Sequence, residues 1–261
     1  MHIFVTDMTA VRPKKELGQH FLRDESIARA IVDALTWKGQ VLEVGPGMGV
    51  LTRFLVADSS LQFKAVELDP ESVEYLRSHF PELSGSLLQA DFLQLPLEKV
   101  FQGSFAVIGN FPYNISSQIF FKILDYRDAV PEVVGMLQKE VAERLASPAG
   151  SKAYGILSVL LQMWYDIEYL FTVEPGSFLP PPKVRSAVIR LRRNQRTDAG
   201  CDEALFKKIV KATFNLRRKT IRNSLRAASL PCPESHYLDM RPEQLSVEDF
   251  IALTLLVEKQ L

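Results

Sequence analysis

The sequence predicts an α/β fold, an open parallel sheet with helices between its strands, joined to a small all-helical C-terminal domain. Three observations predict it. Short apolar runs of strand length alternate with helically spaced apolar residues between residues 41 and 137. The first run leads into three alternating glycines, Gly45, Gly47 and Gly49, the pattern of a strand, a tight turn and a helix. Beyond residue 196 no run reads as a strand, and three segments carry apolar residues at helical spacing.

In chain order, residues 1–11 carry no assignable pattern. An arm follows, with Arg12, Lys14 and Lys15 and then a mixed polar and apolar stretch through His20 and Leu22. Basic residues in such an arm can reach a phosphate backbone. A first helix starts near Asp24, with Ile27, Ala30, Ile31 and Ala34 as its apolar face. Residues 41–44 form a strand, and Leu51, Phe54 and Leu55 mark the helix after the glycine turn. A second strand ends in Glu67, and Pro70 opens a helix carrying Val73, Leu76 and Phe80. Strands at 86–90, 105–108 and 133–137 follow, with a helix at 115–124. Helices at 139–145 and 155–164 lead to extended segments at 167–173 and 186–191, the latter with alternating apolar side chains. The connection between these segments has three consecutive prolines, which stiffen it and hold Phe178 in place. The polar stretch 194–200 marks the expected boundary between domains 1–195 and 196–261. Helices at 204–214, 219–228 and 247–258 complete the chain.

The 261 residues, 47% hydrophobic and 24% charged, suit an ordinary soluble protein with a substantial core. No run of eighteen apolar residues occurs and no secretory signal opens the chain, so a cytoplasmic protein is expected. Cys201 and Cys232 lack metal spacing, and the four histidines are scattered, so no metal is expected. The net charge of zero conceals an asymmetry: residues 183–226 hold fourteen Lys or Arg against Asp198, Asp202 and Glu203, a local +11 balanced by −11 elsewhere. Such a segment suits a polyanionic partner. Within it, Arg217, Arg218, Lys219 and Arg222 fall on an expected helix, with Arg218 and Arg222 on one face.

The glycine turn reads G-P-G-x-G rather than G-x-G-x-x-G. Pro46 removes an amide that a pyrophosphate would use, and Val50 stands where a third glycine would fall, so a cofactor without phosphates is favoured. Glu67 at a strand end can accept two hydrogen bonds from a ribose diol. Asp91 after the third strand can accept from an adenine amine, with Phe92 against the ring, although a strand-end aspartate caps a turn about as readily. Asn110-Phe111-Pro112-Tyr113 ends the fourth strand. An exocyclic base amine is a poor nucleophile because its lone pair is conjugated. The Asn110 amide oxygen and the following carbonyl, that of Phe111, can accept its two N–H groups and turn the lone pair toward an electrophile, while Tyr113 offers a stacking face. In open parallel sheets ligands sit beyond the carboxyl ends of the strands, where Gly45, Glu67, Asp91 and Asn110 can converge. His20 reads as a pocket-lining residue, since amine attack on a sulfonium does not require a base. His2, His79 and His236 read as surface or packing residues.

At these residues the chain resembles the ribosomal RNA adenine dimethylase family. The matching stretches include Lys14-Lys15-Glu16-Leu17-Gly18-Gln19-His20-Phe21-Leu22, residues 41–52 and 66–69, Gly109 to Ser116, Gln138-Lys139-Glu140-Val141, residues 178–186 and Arg217-Arg218-Lys219-Thr220-Ile221-Arg222-Asn223. The resemblance implies a Rossmann-like methyltransferase domain that uses S-adenosylmethionine. It implies that His20 and Leu22 line the cofactor site, Gly45 approaches the methionine part, Glu67 holds the ribose diol and Asp91 meets the adenine amine. Asn110 then bridges cofactor and target, with Tyr113 and Phe178 sandwiching a flipped base. It further implies dimethylation of two adjacent adenosines in the loop closing the last helix of 16S ribosomal RNA, on the assembling 30S subunit, by a monomer. Arg12, Lys14, Lys15, Lys183, Arg217, Arg218, Lys219 and Arg222 are the expected RNA contacts. The sequence departs from the family at Phe111, where leucine is commoner, and at His20, where asparagine is commoner. A macrolide-resistance methylase of large-subunit RNA shares the glycine turn and asparagine motif. Residues 138–141 and the basic stretch from Arg217 favour the small-subunit branch. A factor that binds RNA without catalysis would not need Glu67, Asp91 and Asn110 together.

Overall fold

Asp24 accepts the amides of Ser26 and Ile27, and helix α1 (Glu25–Asp33) starts on that cap. The computed structural model describes residues 11–261; His2 and the start of the expected first domain lie outside the described residues. The buried stripe of α1 is Ala28 and Ile31, continued by Leu35, whereas Ala30 is exposed. The expected face is therefore rotated, because positions 28, 31 and 35 share one side and residue 30 lies about 200° around the helix from residue 28.

Among the described residues nine strands form in two sheets. A two-stranded sheet pairs β1 (Phe21–Leu22) with β8 (Phe178–Leu179), antiparallel. The main sheet contains β2 (Gly39–Val44), β3 (Leu61–Glu67), β4 (Leu87–Gln89), β5 (Ala106–Asn110), β6 (Glu132–Gln138), β7 (Tyr165–Val173) and β9 (Ser186–Arg193). Its order is β4-β3-β2-β5-β6-β9-β7. The first five strands in that order are parallel, and β9 runs antiparallel to β6. The alternation expected for 186–191 is absent: Ser186, Ala187, Val188, Ile189 and Leu191 are all buried, because β9 lies inside the sheet between β6 and β7. From β2 the chain first builds outward through β3 and β4, then crosses back to β5 and β6 on the other side. The crevice at the carboxyl ends of β2 and β5 is thus a topological switch point, the usual ligand position in such sheets.

The remaining helices are α2 (Thr52–Leu55), α3 (Pro70–His79), α4 (Ser116–Asp125), α5 (Lys139–Ala146), α6 (Ile156–Gln162), α7 (Glu203–Asn215), α8 (Ile221–Ala227) and α9 (Val247–Glu258). The chain divides into two compact units. One comprises the described chain up to Ala142 together with Glu168–Arg193, and the other comprises Glu143–Ile167 with Asn194–Leu261. The second is helical, with Phe250 edge-on to Phe206 and Phe214 packed between Phe250 and Tyr154. In this unit α8 starts later than expected. The Ile221 amide is taken by the Met240 carbonyl, and Arg217, Arg218 and Lys219 lie in a turn before it, so only Arg222 of the four basic residues is helical. Among the described residues no helix is long and apolar enough to cross a membrane.

Candidate active site

The turn after β2 needs glycine for a geometric reason. Gly45, Gly47 and Gly49 have φ values of 69°, 57° and 79°, in the left-handed region that side chains resist. A Cβ on Gly47 would also press on the Phe21 ring at 3.0 Å. The turn is then fixed by Glu67. This carboxylate is buried and accepts the Gly47 amide at 3.0 Å, the Leu68 amide at 2.8 Å and the Asp69 amide at 2.9 Å. Burial pushes the Glu67 carboxyl up, and the three amides oppose that shift. A carboxylate offers about four acceptor positions, so Glu67 keeps capacity for a further donor.

Asp69, two residues on, ties down the arm. It caps α3 through the Glu71 amide and accepts the Lys14 ammonium at 2.5 Å and the Gln19 amide at 3.2 Å. Burial pushes the Asp69 carboxyl up, but these partners and the Ser72 hydroxyl together hold it below its ordinary value. Lys14 also lies 3.1 Å from Glu71, and its own pKa rises through the bonds to Asp69 and Glu71. Two carboxylates therefore hold the Lys14 ammonium expected at RNA.

The arm crosses to β5. The Asn110 side-chain amide donates to the His20 carbonyl at 2.9 Å; a carbonyl only accepts, so the NH₂ faces it and the Asn110 oxygen is left as an uncommitted acceptor among the described residues. The His20 ring bonds the Pro180 carbonyl through Nδ1 at 2.9 Å and lies 5.3 Å from the Tyr113 ring. Tyr113 in turn bonds Ser186 through its hydroxyl, and burial raises its pKa while that bond opposes the rise. The Phe111 side chain turns away into the core, edge-on to Phe120 and against Gly135, which is how the larger ring replaces leucine. Asp91 accepts the Leu93 amide at 2.8 Å with one oxygen. Behind it the Lys122 ammonium bonds the carbonyls of Leu93 and Leu95 and stands over the Phe92 ring, fixing that loop.

One cleft is lined by His20, Leu22, Gly45, Glu67, Asp91, Phe92, Asn110, Phe111 and Tyr113. Phe178 does not line it. Its strand pairs with β1, and its ring is 2% exposed in the core with Leu22, Ala28 and Ile31. Among the expected RNA contacts, Arg12, Lys15, Lys183, Arg218 and Lys219 are exposed. Arg217 instead donates to the Lys152 carbonyl at 2.7 Å and lies 3.8 Å from Glu243, and Arg222 pairs with Asp239 at 3.0 Å. His79 stacks on Tyr75 and His236 packs on Tyr237. No cluster of three or more metal-binding side chains forms among the described residues.

Glu43 is a feature that sequence reasoning missed. It is fully buried on β2, one oxygen accepts the Thr52 hydroxyl at 2.7 Å, and the other has no partner among the described residues. Burial pushes its pKa up to about 8; the Thr52 bond opposes this and the charge of Glu67 adds to it. A carboxyl whose folded pKa lies above its unfolded value of 4.5 makes folding progressively less favourable as pH rises between those two values, by several kcal/mol in order of magnitude. Glu43→Gln is therefore expected to flatten the decline in melting temperature between about pH 5 and 8. Melting curves across that range check this, and an unchanged slope would show that Glu43 is not the proton-linked group.

A family model described as ribosomal RNA adenine dimethylase matches residues 10–257. The chain is 59% identical over 259 residues to a protein of Parabacteroides distasonis named ribosomal RNA small subunit methyltransferase A, covering 97% of each. A protein of the same name from Cytophaga hutchinsonii is 56% identical over 252 residues, covering 95% of this chain and 98% of that one. Among solved structures, a dimethyladenosine transferase from Plasmodium falciparum superposes with a TM-score of 0.77 at 22% identity, over 92% of this chain and 98% of that one. The 23S rRNA methyltransferase ErmE gives a TM-score of 0.65 at 26% identity, over 90% of this chain and 99% of that one.

Proposed function

The chain belongs to the ribosomal RNA adenine dimethylase family, and from that premise we propose that it dimethylates N6 of two adjacent adenosines in the 3'-terminal helix loop of 16S ribosomal RNA. It acts, in this reading, as a cytoplasmic monomer on the assembling 30S subunit, with a role in the maturation of that subunit. The cofactor is S-adenosylmethionine, which when bound supplies an electrophilic methyl group on a sulfonium. The residues fit such a group: Pro46 offers no amide to a phosphate, Gly45 lines the cleft without a side chain, and Glu67 keeps an acceptor position after binding three amides. Glu67 holds the ribose diol, Asp91 takes the adenine amine with its second oxygen, Gly45 lets the methionine part approach, and His20 and Leu22 close the side. The Asn110 oxygen and the Phe111 carbonyl accept the two N–H groups of the target amine, and Tyr113 stacks on the base. The observation that carries this reading is the convergence of Glu67, Asp91 and Asn110 on one cleft at the switch point, with the Asn110 oxygen uncommitted among the described residues. Mapping methyl groups on both ribosomal RNAs from a strain lacking the protein tests it. Loss of the adjacent dimethyladenosines from 16S RNA alone is expected; their persistence, or a loss from 23S RNA, would refute it.

The helical domain at 196–261 is the proposed RNA-interacting part. Arg218 and Lys219 are its exposed cations in the turn before α8, whereas Arg217 and Arg222 have partners within their own unit. Changing Arg218 and Lys219 to glutamine is expected to flatten the salt dependence of small-subunit binding by about two phosphate contacts, with the melting temperature unchanged. Changing Arg217 and Arg222 is expected to lower the melting temperature instead. Binding across a salt series beside thermal melts checks both, and an unchanged slope in the first variant would remove this turn from the RNA interface.

A further inference from the structure

We propose that Lys183, Val184 and Arg185 form a wedge that enters the RNA beside the extruded adenosine. Val184 fills the stacking position that the base vacates, and the two cations hold the flanking phosphates. This rests on the function proposed above and assigns a further part of the same site.

Val184 is 44% exposed, and exposed cations flank it on both sides. The chain around it is anchored. Pro182 is buried, the Arg185 carbonyl accepts the Lys139 amide at 2.9 Å, and Ser186 is fully buried and paired with Gln138 across the sheet. Ser186 is also the residue whose hydroxyl bonds Tyr113, the proposed stacking face. Two residues of chain span at most about 7 Å, so the backbone of Val184 lies within that distance of the serine that holds the tyrosine. Neither cation is held in a close ion pair among the described residues. Lys183 has no ion pair among the described residues, and Arg185 meets Glu174 only at 4.0 Å with both side chains largely exposed, a contact worth little in water. An exposed valine held between two exposed cations serves no core. Extruding a base leaves a gap in the stack, and proteins that unstack nucleic acid frequently insert an apolar side chain between bases. Anchoring at both ends reduces the entropy lost when the tip docks.

The test compares the full-length protein with Val184→Ser, Val184→Leu and Lys183→Gln/Arg185→Gln. Small-subunit particles from a strain lacking the protein serve as substrate, and single-turnover methylation is measured at saturating particles and cofactor. Val184→Ser is expected to lower the rate about tenfold, with particle affinity and melting temperature unchanged, and Val184→Leu to retain the rate. The double glutamine variant is expected to flatten the salt dependence of binding by about two contacts. A native rate for Val184→Ser, or equal losses for serine and leucine, would overturn the wedge while leaving the proposed function standing. Particles left unmethylated by the unaltered protein would overturn both.

Discussion

Asn110→Ala is expected to lower single-turnover methylation by two to three orders of magnitude, roughly the loss seen when one preorganised polar group is removed from a reacting centre. The side chain has one bond in the structure and one further proposed role. Its NH₂ holds the His20 carbonyl, and its oxygen is the acceptor proposed for the target amine. Losing the first loosens the arm and weakens cofactor binding; losing the second removes the orientation of the amine. At saturating cofactor the first effect is suppressed and only the second remains. RNA affinity is expected to stay near native, because phosphate contacts made elsewhere supply most of it. A near-native rate at saturating cofactor would mean that the Asn110 oxygen does not orient the amine.

Glu67→Ala is expected to weaken cofactor binding by roughly 1 to 3 kcal/mol, the range for hydrogen bonds to a charged group. It is also expected to lower the melting temperature, because the amides of Gly47, Leu68 and Asp69 lose their common acceptor. Calorimetry on the folded variant, at a temperature below its shifted transition, reads the two effects apart. A lowered melting temperature with unchanged affinity would make Glu67 a loop-fixing residue only.

Much of this was legible in the sequence for reasons that lie in local chemistry. The glycines 45, 47 and 49, with an apolar run before them, read as a tight turn out of a strand, and all three do adopt left-handed backbone. The strand ends at Glu67 and Asn110 were visible because a polar residue terminates an apolar run at each. What stayed hidden depends on tertiary pairing. Nothing local announces that residues 21–22 pair with 178–179, and that pairing is what buries Phe178. Nor does periodicity reveal that the Met240 carbonyl claims the Ile221 amide and so delays α8. The capture of Lys14 by Asp69 joins residues 55 positions apart. Glu43 did leave a trace, as the one charge inside the apolar run 41–44. A charge there reads as exposed in a half-buried strand, and only the flanking of β2 by β3 and β5 shows it to be buried.

The cleft at the ends of β2 and β5 is the proposed site of adenosine dimethylation in small-subunit RNA. Its most direct test incubates the purified protein and labelled S-adenosylmethionine with small-subunit particles from a strain lacking the protein, then identifies the methylated nucleosides and their positions by mass spectrometry. N6,N6-dimethyladenosine at two adjacent positions in the 3'-terminal loop is predicted, with label absent when Asn110→Ala replaces the native protein. Label on any other nucleoside, or equal label from the Asn110→Ala variant, would contradict it.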